Sequence, residues 1–122
     1  MGTPQNLAAS DAVIAGNLEV RPSERMALVD GAPLSLTVRE FQVLVELSAR
    51  AGRIVSREDL YAQIWQMPFH SDERSVDVYV AKLRNKLEAA SPQWRFIHTH
   101  VGFGYRFSSE PSHPFHSPGT GR

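Results

Sequence analysis

The chain has 122 residues, 13 Lys and Arg against 13 Asp and Glu, and no cysteine. This length suits one domain with a single modest core, and the missing cysteines exclude disulfides, thiolate metal sites and thiol nucleophiles. No apolar run approaches membrane-spanning length, and the N-terminus lacks the basic and apolar regions of a signal peptide, so we expect a cytoplasmic protein without a membrane partner.

The N-terminal third predicts a small antiparallel sheet. Residues 1–11 show no periodicity and are typical of a linker or leader. Short apolar pieces separated by turn residues follow at 12–15, 18–20, 26–29 and 33–36. The Asp30-Gly31 pair between the last two pieces is a strong hairpin signal. We therefore expect three or four short strands.

Two helices are predicted next, each beginning with a capping sequence. Thr37 and Glu40 have the spacing of a capping box, in which each side chain bonds the backbone amide of the other residue. A second capping-box sequence runs from Ser56 to Asp59. Helical spacing of the apolar residues places Phe41 of the first helix and Trp65 of the second in the core.

The third helix, predicted over residues 72–90 after a loop at 66–71, organises the rest of the chain. Its apolar side chains fall in one narrow stripe that must be buried: Val76, Val80, Leu83 and Leu87. The opposite face combines small side chains, cations and an amide: Arg74, Val78, Ala81, Lys82 and Asn85. Lys and Arg neutralise phosphates, and Asn can pair with adenine. The alternative is an ordinary solvated outer face of an amphipathic helix.

The charge distribution agrees only mildly with a nucleic-acid partner. Residues 72–107 carry six Lys and Arg against four Asp and Glu, whereas residues 1–71 carry six against eight. Charge alone does not decide the function.

A C-terminal hairpin completes the predicted fold. Aromatic and β-branched residues flank Gly102-Phe103-Gly104, and we expect residues 108–122 to be a disordered tail. A sheet, three helices and a hairpin within residues 12–107 predict an α+β fold, a winged helix-turn-helix. In that fold one helix enters the major groove, and the hairpin, or wing, contacts the backbone or minor groove beside it.

The chain resembles the effector domain of OmpR/PhoB-type response regulators over residues 18–107. Four segments carry the resemblance: Leu36-Thr37 with Glu40-Phe41 and Leu44; Val55-Ser56-Arg57 with Leu60 and Ile64-Trp65; Arg74 to Val80 with Lys82-Leu83-Arg84 and Lys86-Leu87; and Ile97, Thr99 and Gly102 to Phe107. Each segment is weak alone, but their order and spacing together are highly specific.

The resemblance implies sequence-specific binding to duplex DNA, with two copies on direct repeats and RNA polymerase contacted from loop 66–71. It implies no cofactor. By position, Arg74 and Tyr79 are expected near phosphates, Val78 and Lys82 near base edges, Arg84 near backbone or base, and Thr99 and Tyr105 among the wing's backbone contacts. Asn85 on the far face and Lys86 on its flank complete the predicted DNA-binding set.

Three departures from the family pattern stand out. Val101 occupies the position of a wing arginine that reaches into the minor groove in the family, and His98 replaces another arginine or glutamine. The wing's cationic contribution is therefore reduced. The family's phosphorylatable receiver domain has no room here, so we expect either an excised effector domain, whose other partners are a receiver domain and a sensor kinase, or a naturally receiverless protein. We favour excision.

Other chemistries are disfavoured. His98 and His100 share one face of a strand and, with His113 and His116, could be imagined as a metal site, but solvated or phosphate-touching histidines are the simpler interpretation. No nucleophile, base and orienting group occur together, so we do not expect an enzyme. The remaining alternative is a winged helix used for protein contacts or for non-specific nucleic-acid binding.

Overall fold

The structure is a computed structural model and describes residues 11–112. Its elements in chain order are β1 (Val13–Ala15), β2 (Leu18–Arg21), β3 (Met26–Val29), β4 (Ala32–Pro33), α1 (Val38–Ala49), β5 (Ile54–Val55), α2 (Arg57–Trp65), α3 (Ser75–Ala90), β6 (Trp94–His100) and β7 (Gly104–Pro111). This order confirms the predicted sheet, three helices and hairpin. Within the described range, no helix combines the length and the apolar character needed to cross a membrane.

The N-terminal sheet is antiparallel, with strands in the order β1-β2-β3-β4. Leu18, Val20 and Ala27 lie on its buried face, which packs against the helices. Asp30 and Gly31 form the two-residue turn between β3 and β4, and both have positive φ, 51° and 81°. Such a pair gives the backbone twist that a tight hairpin requires, which is why the Asp-Gly signal was a reliable one.

Helix α1 begins as its sequence predicts. Thr37 Oγ1 accepts the amide N–H of Glu40 at 3.2 Å, and Glu40 Oε1 accepts the amide N–H of Thr37 at 2.9 Å. In α2, Ser56 Oγ accepts the amide N–H of Asp59 at 3.0 Å. The two caps satisfy amides that would otherwise lack partners in the first turn of each helix.

The prediction that Phe41 and Trp65 are core residues holds only in part, because both pack against the core but are only half-buried. Phe41 lines a groove between α1 and the segment that follows β4, where Leu34 and Leu36 are its neighbours. Trp65 stacks on Tyr61 with 5.2 Å between ring centroids. The guanidinium of Arg39, which is half-buried, lies 4.6 Å from the Trp65 ring centroid. Helical periodicity gave the correct side of each helix, but the neighbouring layer does not extend far enough to cover these rings.

Helix α3 begins at Ser75, three residues later than predicted. The carboxylate of Glu73 accepts hydrogen bonds from the backbone N–H and the hydroxyl of Ser75. These hydrogen bonds lower the pKa of Glu73. Glu73 therefore lies just before the helix and bonds the amide of its first residue, where a negative charge is favoured by the helix dipole.

The second sheet has the order β5-β7-β6 and forms the wing. Gly104 is required where β7 begins to pair with β5, since a Cβ atom at this position would lie 2.1 Å from the Val55 carbonyl oxygen. Strand β7 continues to Pro111, with Glu110 opposite Arg95 on β6. The predicted tail therefore began too early, since residues 108–111 are strand, and the stretch 113–122 lies outside the described residues.

Candidate nucleic-acid interface

The two faces of α3 differ sharply in burial. The apolar stripe is 0–2% exposed: Val76, Val80, Leu83 and Leu87. The opposite stripe is open to solvent: Arg74, Val78, Ala81, Lys82 and Asn85. Val78, the large apolar member of this outward stripe, is 45% exposed. The helix thus presents cations, an amide and small apolar groups along one continuous line.

A three-residue cluster anchors the N-terminal end of α3 to α2 and the wing. Arg57 of α2 donates to the Glu73 carbonyl at 2.6 Å and contacts the Asp77 carboxylate at 3.1 Å. Tyr105 of β7 donates its hydroxyl proton to Asp77 Oδ1 at 2.6 Å. Asp77 therefore joins three elements. The sequence alone assigned no separate role to Arg57 or to Asp77.

The hydroxyl of Tyr105 is already committed to this cluster. The residue is 7% exposed, although the resemblance implied a backbone contact with DNA. Burial, together with the hydrogen bond to the Asp77 carboxylate, raises the pKa of Tyr105 to about 12. Both effects favour the neutral phenol, since ionisation would put a second negative charge beside Asp77.

Arg84 joins the middle of α3 to the wing. Its guanidinium donates to Thr99 Oγ1 at 2.8 Å and to the Ile97 carbonyl at 3.3 Å. Thr99 is exposed and Arg84 is half-buried, so this pair lies at the surface between helix and wing. The wing is thereby fixed in position relative to the outward stripe.

Lys86 forms an ion pair within the domain. Its Nζ lies 2.8 Å from Oε1 of Glu40, whose side chain is 3% exposed. Burial alone would raise the pKa of Glu40, but hydrogen bonds from Lys86 and from the Thr37 amide outweigh it and lower the pKa. The sequence identified Glu40 as a cap of α1, but not as the partner of a lysine 46 residues away.

Two cations of the predicted site, Arg74 and Lys82, point outward without an ion pair to any residue from 11 to 112. Lys82 Nζ lies 5.0 Å from the centroid of the Tyr79 ring. Tyr79 is half-buried and packs on Trp65, with 5.8 Å between ring centroids. The ammonium group of Lys82 therefore lies over the Tyr79 ring, while the residue remains exposed to solvent.

The wing histidines bond groups of the wing itself, whereas the sequence predicted that they are solvated or touch phosphate. His98 Nε2 lies 2.8 Å from the Ser108 carbonyl oxygen and 3.7 Å from a Glu110 carboxylate oxygen. His100 Nε2 accepts an N–H from Arg106 at 2.9 Å. Both imidazoles therefore connect the two wing strands. Among residues 11–112 no cluster of three or more metal-ligating side chains occurs, and His113 and His116 lie outside the described residues.

Comparison with known proteins decides the family. The model of the family described as "Transcriptional regulatory protein, C terminal" matches residues 31–107. The chain belongs to this family. The effector domain is 38% identical over 92 residues to the uncharacterized transcriptional regulatory protein YclJ of Bacillus subtilis, and 33% identical over 94 residues to the alkaline phosphatase synthesis transcriptional regulatory protein PhoP of the same organism. These matches cover 75% and 77% of the chain, which spans only 40% and 39% of the two relatives.

Solved structures agree with this assignment. The effector domain superimposes on the Klebsiella pneumoniae RstA DNA-binding domain, crystallised in complex with the RstA box, with a TM-score of 0.72 and 30% identity. It superimposes on the DNA-binding domain of CpxR from E. coli with a TM-score of 0.73 and 28% identity. Each match covers 80% of this chain and 96% of the other. The OmpR/PhoB-type resemblance and the winged-helix fold are confirmed, and the family is one of transcription regulators rather than enzymes.

Proposed function

We propose that this effector domain binds duplex DNA sequence-specifically, with α3 in the major groove. The observation that carries the proposal is the outward stripe of α3, which has exposed cations and an exposed amide beside a wing that is fixed to the same helix. The major groove admits an α-helix, and each base pair shows a distinct pattern of donors and acceptors there. The RstA domain, which shares the fold, was crystallised with its DNA box.

The outward stripe suggests a division of roles. We assign Arg74 and Tyr79 to phosphates, Val78 and Lys82 to base edges, and Asn85 to a base edge through its amide. Thr99 meets the backbone where helix and wing join, and Arg84 positions it there, since its guanidinium already bonds Thr99 and the Ile97 carbonyl. Lys86 and Tyr105 act by positioning, since their polar groups already bond Glu40 and Asp77.

Selection from a random duplex pool, followed by titration of the recovered duplex against competitor DNA, tests this proposal. Specific binding survives competitor DNA, because specific sites are typically bound ~10³–10⁷ times more tightly than random sequence. Lys82→Ala should then flatten the preference at one position of the site, by about 1–3 kcal/mol of discrimination. A uniform loss of affinity on all sequences would instead make Lys82 a phosphate contact.

One observation favours a second candidate, a module for protein contacts: the wing tip exposes Val101 and Phe103. Non-specific nucleic-acid binding is the other alternative. A domain used for protein contacts would recover no consensus from the random pool, and a non-specific binder would lose its duplex to competitor DNA.

We further propose that two copies bind adjacent direct repeats about one helical turn apart, so that both meet the same side of the duplex. One copy offers few cations to phosphates, so a single site should be weak. Titration of one-repeat and two-repeat duplexes tests this, and equal affinity for both would exclude the tandem arrangement.

The remaining partners are proposals from the resemblance. RNA polymerase would contact the connection between α2 and α3, where Met67 is 56% exposed. A receiver domain and a sensor kinase would complete a two-component system in the cytoplasm. Met67→Glu should reduce transcription in a reconstituted assay without reducing DNA binding, and loss of both would point to a DNA-binding defect instead.

A further inference from the structure

The tip of the wing exposes two large apolar side chains. Val101 is 88% exposed and Phe103 is 73% exposed, on either side of Gly102 at the turn between β6 and β7. The turn is closed by a hydrogen bond from the Phe103 amide to the His100 carbonyl at 2.8 Å. Phe103 contributes little to the core, so its packing inside the domain does not account for it.

The tip lies beside the proposed DNA-binding surface. Val101 and Phe103 line a shallow groove together with Arg74, the residue at which the outward stripe begins. The strands that carry the tip are tied to α3 through Thr99 and Arg84 on one strand and Tyr105 and Asp77 on the other. When α3 lies in the major groove, the tip is therefore held at the neighbouring stretch of duplex.

The tip also carries no formal charge. From residue 99 to residue 105 the sequence is THVGFGY, without Lys, Arg, Asp or Glu. Such a tip cannot act by neutralising phosphates and cannot release counterions. Apolar side chains that enter the minor groove act in another way, by wedging between base steps and partly unstacking them.

We infer that Phe103, supported by Val101, inserts into the minor groove beside the α3 site as an apolar wedge and favours easily unstacked base steps there. This inference rests on the proposed DNA binding. It makes the wing a reader of DNA deformability, because pyrimidine–purine steps such as TpA unstack most easily and stiff A-tracts resist.

The experiment uses the full chain and the duplex recovered from the random pool. Versions of that duplex carry either a TpA step or an A-tract in the flank under the wing, and 2-aminopurine at that step reports unstacking by increased fluorescence. The variants are Phe103→Ala, Phe103→Leu and Val101→Arg, with Ile14→Ala as a matched control. Ile14 is 74% exposed on β1, in the other sheet.

The wild type should bind the TpA duplex more tightly than the A-tract duplex and raise the 2-aminopurine signal. Phe103→Ala should weaken binding to the TpA duplex by about tenfold, abolish the signal and leave the salt slope unchanged. Phe103→Leu should retain part of both effects, and Ile14→Ala should retain all of them. Val101→Arg should increase the salt slope by about one, because it adds a cation at the tip.

The outcomes separate the two proposals. If Phe103→Ala leaves affinity, step preference and fluorescence unchanged while the wild type binds specifically, the wedge is overturned and the proposed function stands. If Phe103→Ala weakens binding equally on both flanks without any fluorescence signal in the wild type, the tip is not a wedge. If the wild type recovers no consensus, the proposed function fails and the wedge fails with it.

Discussion

The cations around α3 fall into two groups that differ in what they bind. Arg57, Arg84 and Lys86 donate to groups of the domain itself: Asp77 and the Glu73 carbonyl, Thr99 and the Ile97 carbonyl, and Glu40. Arg74 and Lys82 point outward. The first group fixes the helix against α1, α2 and the wing, and the second is available for phosphates and base edges. Positive charge near a recognition helix is therefore not equivalent to contact with DNA.

This difference separates two kinds of mutational effect. Removing an anchoring group leaves a polar partner unsatisfied inside the domain, so the loss appears in the free energy of unfolding. Removing an outward cation changes only the interaction with phosphates or bases, so the loss appears in DNA affinity and its salt dependence. The predictions below test this separation, in order of decreasing effect on stability.

The largest effect should come from the buried face of α3. Leu83→Ala should lower the free energy of unfolding by about 2–5 kcal/mol, because Leu83 is 0% exposed and truncation leaves a cavity. Val78→Ala, on the exposed face of the same helix, should change it by less than about 0.5 kcal/mol. Urea unfolding followed by circular dichroism measures both, and equal losses would contradict the observed orientation of the helix.

The Lys86–Glu40 pair should come next. Glu40→Gln should lower the free energy of unfolding by about 1–3 kcal/mol, with the value reduced by solvent because Lys86 is 39% exposed. Glu46→Gln is the matched control, since Glu46 pairs with Arg50 on the same helix at 3.4 Å and both side chains are partly exposed. The control should cost about 0–1 kcal/mol.

The pH dependence of Glu40 has a definite sign. Its folded-state pKa is lowered below the ordinary 4.5, so its contribution is fully present above pH 4.5 and is lost as the pH falls through the folded pKa. The stability difference between wild type and Glu40→Gln should therefore shrink in acid below that pH. A difference that stayed constant to low pH would show that Glu40 does not depend on its charge.

Tyr105→Phe should have a smaller effect, about 0.5–1.5 kcal/mol, because Asp77 loses one hydrogen bond and retains Arg57. In the wild type one tyrosine should ionise at about pH 12, and this step should be missing in the variant. Since the folded pKa is raised above the ordinary 10.0, Tyr105 contributes its stability below pH 10 and loses it as the pH rises toward 12. Ultraviolet absorbance titration detects the phenolate, and identical titrations of wild type and variant near pH 12 would contradict the cluster.

Lys82→Ala should have the smallest effect on stability and the clearest effect on DNA binding. Lys86→Ala is the variant with which it is compared. Lys82→Ala should leave the free energy of unfolding within about 0.5 kcal/mol and reduce the sequence discrimination at one position of the DNA site by about 1–3 kcal/mol. Lys86→Ala should instead destabilise the domain and leave the salt slope nearly unchanged. The reverse pattern would show that the ion pair to Glu40 opens when DNA binds.

The sequence by itself determined the local structure of this protein. The capping box at Thr37, the Asp30-Gly31 turn and the apolar stripe of α3 all depend on residues within a few positions of each other, so their hydrogen bonds and periodicity can be read along the chain. Together they gave the order of the elements and the outward face of the candidate site. They could not place Phe41 and Trp65 at the edge of the core, nor extend β7 past Phe107, because both depend on the extent of a neighbouring layer.

Only the tertiary structure decided which polar groups of the site are free of internal partners and so available to DNA. Lys86 lies 46 residues from Glu40, Tyr105 lies 28 from Asp77, and Arg57 lies 20 from Asp77. No local pattern connects residues so far apart, and each of these side chains has the same chemical character whether it faces DNA or an internal partner. Packing of the helices and the wing brings the partners within hydrogen-bonding distance, because a buried or half-buried charge must be paired, and this leaves Arg74 and Lys82 directed outward.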